Sequence, residues 1–558
     1  MSAPLPPQAI WTTGSTTAIK TGTWRAALAQ HIHAPSPCHG ACPVRGDIAE
    51  WIAQARARDF RGAWQTLTRH NPFPSIAGRI CHHPCETACN RAGYDESLSI
   101  CKLERFVGDI ALEKGWAHDA AAAQTGARVA VVGGGPSGLS AAYQLRRRGH
   151  AVTLIESRSE LGGLMRYGIP AYRLARAVLD GEIARIVAMG VDVRSGQAIE
   201  TAQAFAQLRA EHDAVYLAMG AQRQKRLAQL DSTRPWVVDG ADYLARTSMG
   251  VPPALGRRVV VIGGGSAALD VARSARRAGH AVTILALEGE HAMPAQREEV
   301  VEAREEGIVL VDSSMLRAVA EVGGASLRLD CTRVEFHAGA RRGQFSVTPI
   351  EGGAFALEAD AIVVSIGQDP DLAPLDGALA SDGALLQTDE RGATSADAVW
   401  AGGDMASMAR FVTEAIGMGE RAAIGIDRQL RARRHGNAAT VDVPPRFSEP
   451  LVPLAAISLH YHPAQPRPVD ARLAPADRLR GDAEVQLGLD IEHALAETVR
   501  CFSCGTCTHC DNCVNYCPDM AVQRAGDGYV VLTDFCKGCG LCVKECPTGS
   551  MKMLEELR

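Results

Sequence analysis

The chain has 558 residues, enough for about three to four domains. Its 46% hydrophobic and 22% charged residues are typical of an ordinary globular protein. The formal net charge of −5 and the 5% of aromatic residues argue against a nucleic-acid-binding protein, which usually has a basic surface. No apolar stretch is long enough to span a membrane, and the first residues lack the basic and apolar regions of a secretory signal. We therefore expect a cytoplasmic protein.

The cysteines are concentrated towards the two ends of the chain. Sixteen of the seventeen lie within residues 38–101 or 501–546, and only Cys331 is isolated. Disulfide frameworks are typical of short secreted chains, whereas clustered cysteines in a long chain without a signal indicate metal or redox chemistry in a reducing compartment. We interpret Cys331 as a small buried hydrophobic residue.

The N-terminal cysteines lie in stretches that resemble a known family. CHGACPVRGDIAEWI, NPFPSIAGRICHHPCETACNR and LERFVGDIAL are similar to the helical iron–sulfur domain of the glutamate synthase small-subunit family. The resemblance extends from about residue 36 to about residue 430. It implies a helical iron–sulfur domain over 1–125 and a 4Fe–4S cluster whose ligands are Cys42, Cys81, Cys85 and Glu104.

The same resemblance leaves a second N-terminal cluster open. In the family that cluster uses the equivalents of Cys38 and Cys89 together with two cysteines further upstream. Those two positions correspond to Gln30 and His33 in this chain. We therefore expect one N-terminal cluster, with Cys38, Cys89 and Cys101 as buried thiols, and keep a second cluster as the alternative.

A dinucleotide-binding fingerprint follows in RVAVVGGGPSGLSAAYQLRRRGHAVTLIE. An apolar strand leads into Gly133, Gly135 and Gly138, and after a helical stretch a second apolar strand ends at Glu156. In such a unit the glycines let the backbone approach a pyrophosphate at a helix N-terminus, and the acidic residue binds a ribose hydroxyl. Because all of these features occur in register, a Gly-rich turn without a ligand is the weaker interpretation.

A second fingerprint, RVVVIGGGSAALDVARSARRAGHAVTILALE, starts about 130 residues later. Its loop contains Gly263, Gly265 and Ala268, and Glu288 follows its second strand. An acidic residue at this place repels a 2′-phosphate and accepts a hydrogen bond from a ribose hydroxyl. No arginine occurs there before Arg297, so we expect NAD(H), with NADP(H) as the alternative.

The segment TSADAVWAGGDMASMARFVTEAIGMGERAA resembles the second flavin-binding segment of reductases with two dinucleotide domains. The resemblance implies that Gly403 and Asp404 contact FAD, and the stretch LGGLMRYGIP likewise implies that Gly163 lies beside it. Because this segment returns after the second fingerprint, one Rossmann-like domain is predicted to be inserted in the other. The predicted ranges are 126–245 and 365–432 for the FAD domain and 246–364 for the NAD(P) domain.

A proline-rich connecting arm is predicted over 433–495. Beyond it, the spacing C-x2-C-x2-C-x3-C-P occurs twice, offset by 29 residues. This duplication matches bacterial ferredoxins, in which the fourth cysteine of each run ligates the other of two 4Fe–4S clusters, and it makes a pair of zinc ribbons the weaker alternative. We predict a ferredoxin-like domain over 496–558, with the ligand sets Cys507, Cys510, Cys513 and Cys546, and Cys536, Cys539, Cys542 and Cys517.

Cys501 and Cys504 stay unassigned by this duplication. They precede the repeated spacing, at the point where the arm meets the ferredoxin-like domain. We predict that they are not essential ligands and interpret them as spare thiols or as a docking contact.

The domain order predicts a multidomain α/β oxidoreductase that links NAD(P)H to iron–sulfur clusters through FAD. A nicotinamide exchanges two electrons at once and a cluster exchanges one, so a flavin, which does both, has to stand between them. No Ser/His/Asp or Cys/His constellation for substrate chemistry is evident in the sequence. We therefore expect an electron-transfer subunit that serves a partner enzyme, such as a 2-oxoacid:acceptor oxidoreductase, or a soluble ferredoxin.

Two other functions remain as alternatives. One is a glutamate synthase small subunit that delivers NADPH electrons to a glutamate-forming large subunit. The other, of a different class, is a non-enzymatic scaffold with structural clusters. A self-contained reductase with its own organic substrate would need a further domain for which no residues are left unassigned.

Overall fold

The computed structural model describes residues 19–323, 326–339, 343–375, 377–435 and 449–556. The α-helices of this part of the chain are α1 (Pro37–Ala41), α2 (Ile48–Arg56), α3 (Phe60–Thr68), α4 (Pro74–Ile80), α5 (Pro84–Thr87), α6 (Ile100–Glu113), α7 (Pro136–Arg147), α8 (Leu164–Tyr167), α9 (Arg176–Val187), α10 (Ala202–Glu211), α11 (Gly240–Ser248), α12 (Ser266–Arg277), α13 (Arg297–Glu305), α14 (Val412–His435), α15 (Pro475–Arg478), α16 (Ile491–Arg500), α17 (Asn512–Asn515) and α18 (Leu541–Lys544).

The β-strands of the described residues are β1 (Ala27–His31), β2 (Arg128–Val132), β3 (Ala151–Glu156), β4 (Asp192–Ser195), β5 (Ala214–Leu217), β6 (Arg223–Gln224), β7 (Val237–Asp239), β8 (Arg258–Ile262), β9 (Ala281–Leu285), β10 (Val309–Val311), β11 (Ser314–Glu321), β12 (Leu327–Ala338), β13 (Phe345–Ala359), β14 (Ala361–Val364), β15 (Gln368–Asp369), β16 (Ser381–Asp382), β17 (Leu385–Leu386), β18 (Val399–Ala401), β19 (Ala471–Arg472), β20 (Gln486–Gly488), β21 (Val522–Ala525), β22 (Gly528–Val531) and β23 (Met551–Glu555).

The N-terminal unit is helical, and its core forms around Trp51 and Trp64, which are each 1% exposed. Its helices α4 and α6 contact each other through their backbones, because a Cβ atom on Gly78 would overlap the backbone of Arg105. This contact brings the C-terminus of α4, where Cys81 lies, towards the face of α6 that carries Glu104. Local helix packing therefore brings two predicted ligands of one cluster together.

Two parallel sheets follow. The last strand of the first sheet comes later in the chain than the whole of the second sheet. The order of the first sheet is β18-β5-β2-β3-β4, with β2 leading into the first glycine loop. Val399 of β18 pairs with Val215 of β5 in the parallel direction. The chain therefore leaves this domain, builds the second one and returns, as the split FAD domain predicts.

The second sheet has the order β10-β9-β8-β14-β7, and the antiparallel sheet β11-β12-β13 precedes β14 in the chain. Val237 of β7 pairs with Ile362 of β14, so the inserted domain begins before residue 246, where the sequence placed its start. β7 is short and only half-buried, and its place in the sheet is set by pairing with an edge of β14 rather than by its own pattern. Cys331 lies on β12 and is 2% exposed, which confirms its interpretation as a buried residue.

The described part of the proline-rich arm packs against the N-terminal unit and also contacts other units, with Arg478 paired to Glu305 at 2.7 Å and Glu449 paired to Lys552. Residues 433–435 belong to α14, residues 436–448 lie outside the described part, and the remainder starts at residue 449. Four ion pairs join the arm to the helical unit: Arg467 with Glu86 (2.7 Å), Lys102 with Asp470 (2.7 Å), Arg79 with Glu484 (2.7 Å) and Arg105 with Glu484 (2.9 Å). The arm therefore has a defined position on this surface.

The last unit contacts the first at two places. Helix α16 packs on the N-terminal unit, where Ala494 joins the same apolar core as Trp51. Strand β23 pairs antiparallel with β1, with Met551 opposite His31. The two ends of the described chain are thus joined in one small sheet.

The predicted fold class is confirmed: helical iron–sulfur unit, two Rossmann-like domains with one inserted in the other, and a C-terminal ferredoxin-like unit. Among the described residues, no helix is long and apolar enough to cross a membrane.

Replacing Arg467 with alanine is expected to loosen the contact between the arm and the helical unit. Glu86, which is 3% exposed, would lose the guanidinium that neutralises it, and such a loss costs about 2 kcal/mol, or roughly a thirtyfold change in the opening equilibrium. Hydrogen exchange should therefore become faster by roughly that factor in residues 97–103 and 463–470. The control is Arg480→Ala, whose ion pair with Asp477 is exposed. Equal exchange in the two variants would contradict the prediction.

Candidate cofactor and iron–sulfur sites

The first glycine loop has the shape that a bound pyrophosphate requires. Gly133 has φ = +107°, and a Cβ atom there would overlap the carbonyl oxygen of Ala218. A Cβ atom on Gly138 would overlap the carbonyl oxygen of Gly133. On Gly135, by contrast, a Cβ atom would meet nothing nearer than Cα of Gly163, at 3.9 Å. The loop is therefore tight on its inner side and open at the N-terminus of α7, where the phosphates of a dinucleotide bind.

Glu156 is held beside this loop at the end of β3. The backbone N–H of Gly134 donates to its Oε2 at 2.7 Å, and that of Arg158 donates to its Oε1 at 2.8 Å. The side chain is 7% exposed. Its carboxylate is thus fixed where the acidic residue of a dinucleotide fingerprint accepts from a ribose hydroxyl.

The second flavin segment and the loop at Gly163 lie against the first glycine loop. A Cβ atom on Gly163 would lie 2.8 Å from Cα of Gly135, and one on Gly403 would lie 3.1 Å from Cβ of Ser137. Burial raises the pKa of Asp404, an effect that Arg410 opposes. Three separate stretches of chain therefore approach one another at glycine residues and form one narrow cradle. Such a cradle fits an elongated dinucleotide such as FAD.

The second glycine loop repeats this design in the inserted domain. Gly263 has φ = +140°, and the place of a Cβ atom on Gly265 is open for at least 4 Å. Ala268, at the third position, is fully buried, with its Cβ 3.3 Å from where a Cβ atom on Gly263 would lie. Oε2 of Glu288 lies 2.6 Å from where a Cβ atom on Gly264 would be. Burial raises the pKa of Glu288. This loop therefore fits a second dinucleotide, with Glu288 at the place that Glu156 has in the first.

The four residues predicted to ligate the N-terminal cluster come together. Cys81 has both Cys42 and Glu104 as charge neighbours, and Cys85 has Cys42 and Cys81. Desolvation raises the pKa of Cys81 to about 12 and that of Glu104 to about 7. The carboxylate of Glu104 accepts a hydrogen bond from Nδ2 of Asn71 at 2.7 Å. Three thiols and a carboxylate away from water form a donor set that needs a cationic centre in order to ionise, which an iron–sulfur cluster supplies.

This N-terminal set lies next to the second flavin segment. The thiol of Cys81 is 3.6 Å from the hydroxyl of Thr413, at the start of α14. In the same region the rings of His82 and Phe411 lie 4.1 Å apart. Thr413 and Phe411 follow Asp404 within ten residues. The first iron–sulfur set therefore contacts the segment that directly follows the flavin cradle in the chain.

The C-terminal cysteines group as the duplication predicts. Cys513 has Cys507, Cys510 and Cys546 among its charge neighbours. Cys542 has Cys517, Cys536 and Cys539 as neighbours in the other group. Desolvation raises the pKa of Cys513 to about 12 and that of Cys542 to about 11. Each group combines three cysteines of one run with the fourth of the other, the pattern of a two-cluster ferredoxin.

Cys501 and Cys504, interpreted from the sequence as spare thiols or as a docking contact, do not lie with the C-terminal groups. They line a cavity of the N-terminal unit that is also lined by Cys38 and Cys89. Cys101 lies outside this cavity, and its thiol faces the carbonyl oxygen of Ala77 at 3.6 Å. The motifs leave six cysteines without a predicted ligand set, and the structure brings four of these six to one cavity.

The thiol groups are not arranged for single metal ions. Within the part of the chain that the structure describes, no three His, Cys, Asp or Glu side chains converge closely enough to hold one ion. A zinc ribbon requires such convergence, since its four ligands share one ion. A 4Fe–4S cluster has a thiolate on each of its irons, so its ligands surround it at a distance from one another.

Replacing Gly138 with alanine is expected to remove FAD from the protein. The new methyl group would collide with the carbonyl oxygen of Gly133 and displace the loop from the N-terminus of α7. Flavin content per chain, measured from the absorbance of the purified protein, should fall at least about tenfold, a loss of about 1.4 kcal/mol or more in affinity. The matched control is Ala268→Gly in the second loop, which should leave flavin content unchanged. A flavin-replete Gly138→Ala protein would contradict this assignment of the first loop.

Comparison with family models agrees with the geometry of both kinds of site. Residues 127–419 match the pyridine nucleotide-disulphide oxidoreductase family. Residues 31–116 match the dihydropyrimidine dehydrogenase domain II, 4Fe-4S cluster family. Residues 506–551 match the 4Fe-4S dicluster domain.

Several curated proteins are similar over most of the chain. The NADP(+)-dependent formate dehydrogenase subunit beta of Moorella thermoacetica is 33% identical over 84% of this chain and 70% of its own length. The NAD-dependent dihydropyrimidine dehydrogenase subunit PreT of Salmonella typhimurium is 30% identical over 71% of this chain and 91% of its own length. The glutamate synthase [NADPH] small chain of Mycobacterium tuberculosis is 33% identical over 70% of this chain and 85% of its own length. The chain therefore belongs to the pyridine nucleotide-disulphide oxidoreductase family, as an NAD(P)H-linked flavin and iron–sulfur oxidoreductase of the glutamate synthase small-chain type.

Proposed function

We propose that this chain is an electron-transfer subunit, which exchanges electrons between NAD(H) and iron–sulfur clusters through FAD and serves a partner. The observation that carries the proposal is the 3.6 Å contact between the thiol of Cys81 and the hydroxyl of Thr413. It joins the first iron–sulfur set to the helix that follows the flavin cradle. In this proposal, electrons that reach the flavin side of α14 have the first iron–sulfur set beside them.

The residues of the two cradles bind and orient, and the cofactors supply the redox chemistry. When bound, FAD would supply two-electron exchange with the nicotinamide and one-electron exchange with a cluster. In this proposal the glycine loops hold the two pyrophosphates, and Glu156 and Asp404 orient the flavin nucleotide. Cys42, Cys81, Cys85 and Glu104 hold the first cluster in this proposal.

NAD(H) is the proposed nicotinamide. The carboxylate of Glu288 lies against Gly264, where a 2′-phosphate would meet a negative charge. Arg297, the first arginine after it in the chain, is 3.4 Å from Glu290 and is exposed. The names of the relatives do not decide the matter, since the Moorella protein is NADP(+)-dependent and the Salmonella protein is NAD-dependent.

The proposed partner is a separate protein, either a catalytic subunit or a soluble ferredoxin, that docks near the C-terminal unit. Cys510 and Cys539, one from each C-terminal ligand set, are exposed, so both clusters of this unit would lie near its surface. The Moorella and Mycobacterium relatives are named as subunits or chains of larger enzymes. A 2-oxoacid:acceptor oxidoreductase or a soluble ferredoxin is the proposed class of partner, in either direction of electron flow.

A glutamate synthase small subunit is the second candidate, favoured by the 33% identity to the Mycobacterium protein. That match covers 70% of this chain. The scaffold alternative has less support, because both dinucleotide cradles are intact down to their acidic residues.

The test is anaerobic purification of the complex from its source, followed by mass identification of the bound chains and reduction by NADH. The proposal predicts a bound oxidoreductase or ferredoxin and bleaching of the flavin and cluster absorbance on addition of NADH. A co-purified glutamate-forming chain would support the second candidate. A pure protein without flavin absorbance would overturn both.

Replacing Glu288 with alanine is expected to shift the preference from NADH towards NADPH. Loss of the carboxylate removes a hydrogen bond to the ribose of NADH and a repulsion of the 2′-phosphate of NADPH, each worth about 1–2 kcal/mol. The ratio of kcat/KM for NADH to that for NADPH, measured by dye reduction, should fall by about 30-fold or more. The control is Glu335→Ala, an exposed acid on β12 of the same domain. A wild-type protein that already prefers NADPH would contradict the role given to Glu288.

A further inference from the structure

Four cysteines from opposite ends of the chain surround one cavity of the N-terminal unit. Cys38 and Cys89 come from the helical unit, and Cys501 and Cys504 come from the segment after α16. Each of the four is partly accessible, as expected for residues whose side chains border a cavity rather than fill a core. Cys38, Cys89, Cys501 and Cys504 together form the bridging set.

The four thiols are mutual neighbours. Negative charge on Cys501, Cys504 or Cys89 would raise the pKa of Cys38, and charge on Cys501 or Cys89 would raise that of Cys504. These charge interactions indicate that the four thiols lie close to one another around the cavity.

Three polar groups face the sulfur atoms of the bridging set. The hydroxyl of Ser36 lies 3.0 Å from Sγ of Cys38. Nδ2 of Asn90 donates to Sγ of Cys504 at 3.4 Å, and the backbone N–H of Ser503 donates to Sγ of Cys501 at 3.4 Å. Hydrogen bonds to sulfur are a feature of iron–sulfur sites, where they tune the cluster.

The rest of the cavity wall is mainly apolar. Its aliphatic and aromatic residues are Ile48, Ala49, Ile52, Leu98, Ile100 and Phe502. Arg91 also lines the cavity, but its guanidinium already forms an ion pair with Asp95 at 2.6 Å. Among the described residues that line the cavity, the one cationic side chain, Arg91, is therefore already paired.

The second pair of cysteines is held in place by contacts on both sides. Arg91 donates to the carbonyl oxygen of Arg500, directly before Cys501, at 2.6 Å. The backbone N–H of Gly505, directly after Cys504, donates to the carbonyl oxygen of Thr548 at 2.7 Å. Gln30, at one of the two positions where the family has upstream cysteines, pairs with Lys552 in the β1–β23 sheet instead.

We propose that Cys38, Cys89, Cys501 and Cys504 are the ligands of one further 4Fe–4S cluster, shared between the first and last units of the chain. Four cysteine thiolates are the usual donor set of such clusters, and the sulfurs surround a cavity instead of meeting at one ion. This assignment reverses the expectation that Cys501 and Cys504 are not essential ligands. It gives the protein four clusters.

The position of the bridging set suits a relay. On one side Cys38 is a charge neighbour of Cys85, a member of the first N-terminal set. On the other side Thr548, which accepts from Gly505, has its hydroxyl 3.7 Å from Sγ of Cys546, a member of a C-terminal set. A cluster here accepts one electron and passes the same electron on, so it needs no further oxidant or reductant. This relay role rests on the proposed function, whereas the ligand assignment does not.

The test counts iron and acid-labile sulfide in the full-length protein, purified anaerobically and reconstituted. Four clusters give about sixteen irons per chain. The variants Cys504→Ala and Cys38→Ala should each lose about four irons, because each removes a ligand of the same cluster. The double variant should lose no more than either single variant, because sites that act as one unit are not additive.

The controls separate loss of one cluster from failure to fold. Cys331→Ala removes a buried thiol far from any ligand set and should keep about sixteen irons. Flavin content should stay unchanged in all variants, and electron paramagnetic resonance of the dithionite-reduced proteins should lose the signal of one cluster only.

Four results would overturn the proposal. These are about twelve irons in the unchanged protein, full iron in Cys504→Ala, a loss of about eight in the double variant, and bound zinc in place of iron. None of these measurements uses NADH or a partner. Failure of the ligand assignment is therefore distinguishable from failure of the proposed function.

Discussion

The last unit of the chain is held against the first by a small network of buried opposite charges. Arg500 is 2% exposed and forms ion pairs with Glu497 at 2.9 Å and with Asp95 at 3.2 Å. Arg91, also 2% exposed, pairs with the same Asp95 at 2.6 Å. Because two guanidinium groups face two carboxylates, no charge in this network is left uncompensated, and its geometry is specific in a way that an apolar contact is not.

The placement of the iron–sulfur residues depends on this network. It fixes the end of α16, and therefore where Cys501 and Cys504 enter the N-terminal cavity. The β1–β23 pairing fixes the other end of the same unit. With both contacts in place, the thiol sets follow one another from the flavin helix to the exposed Cys510 and Cys539 without an intervening domain. A swinging ferredoxin-like unit, which a flexible arm would allow, would separate the bridging set into two halves.

The two dinucleotide cradles show one physical solution used twice. Each has a residue with positive φ at the turn, an open position at the helix N-terminus and a carboxylate beside the second of three consecutive glycines, Gly134 or Gly264. They differ at the third position, where Gly138 is pressed against the loop and Ala268 fits without overlap. The FAD cradle alone is closed further by Gly163 and Gly403, which come from outside the fingerprint. This extra closure is consistent with a resident flavin in one domain and an exchanging nicotinamide in the other.

Short-range patterns determined much of this protein. The two fingerprints, the duplicated cysteine spacing and the return of the chain to the first sheet could all be predicted, because loop geometry and ligand spacing are encoded within about thirty residues. The start of the inserted domain could not be predicted from the sequence, because β7 is recognisable only by its pairing with β14. The neighbours of Cys501 and Cys504 could not be predicted either, since 414 residues separate Asn90 from the Cys504 thiol that it contacts. Spacing carries no information across such a distance, and only the packing of α16 and the arm on the N-terminal helices brings those four thiols to one cavity.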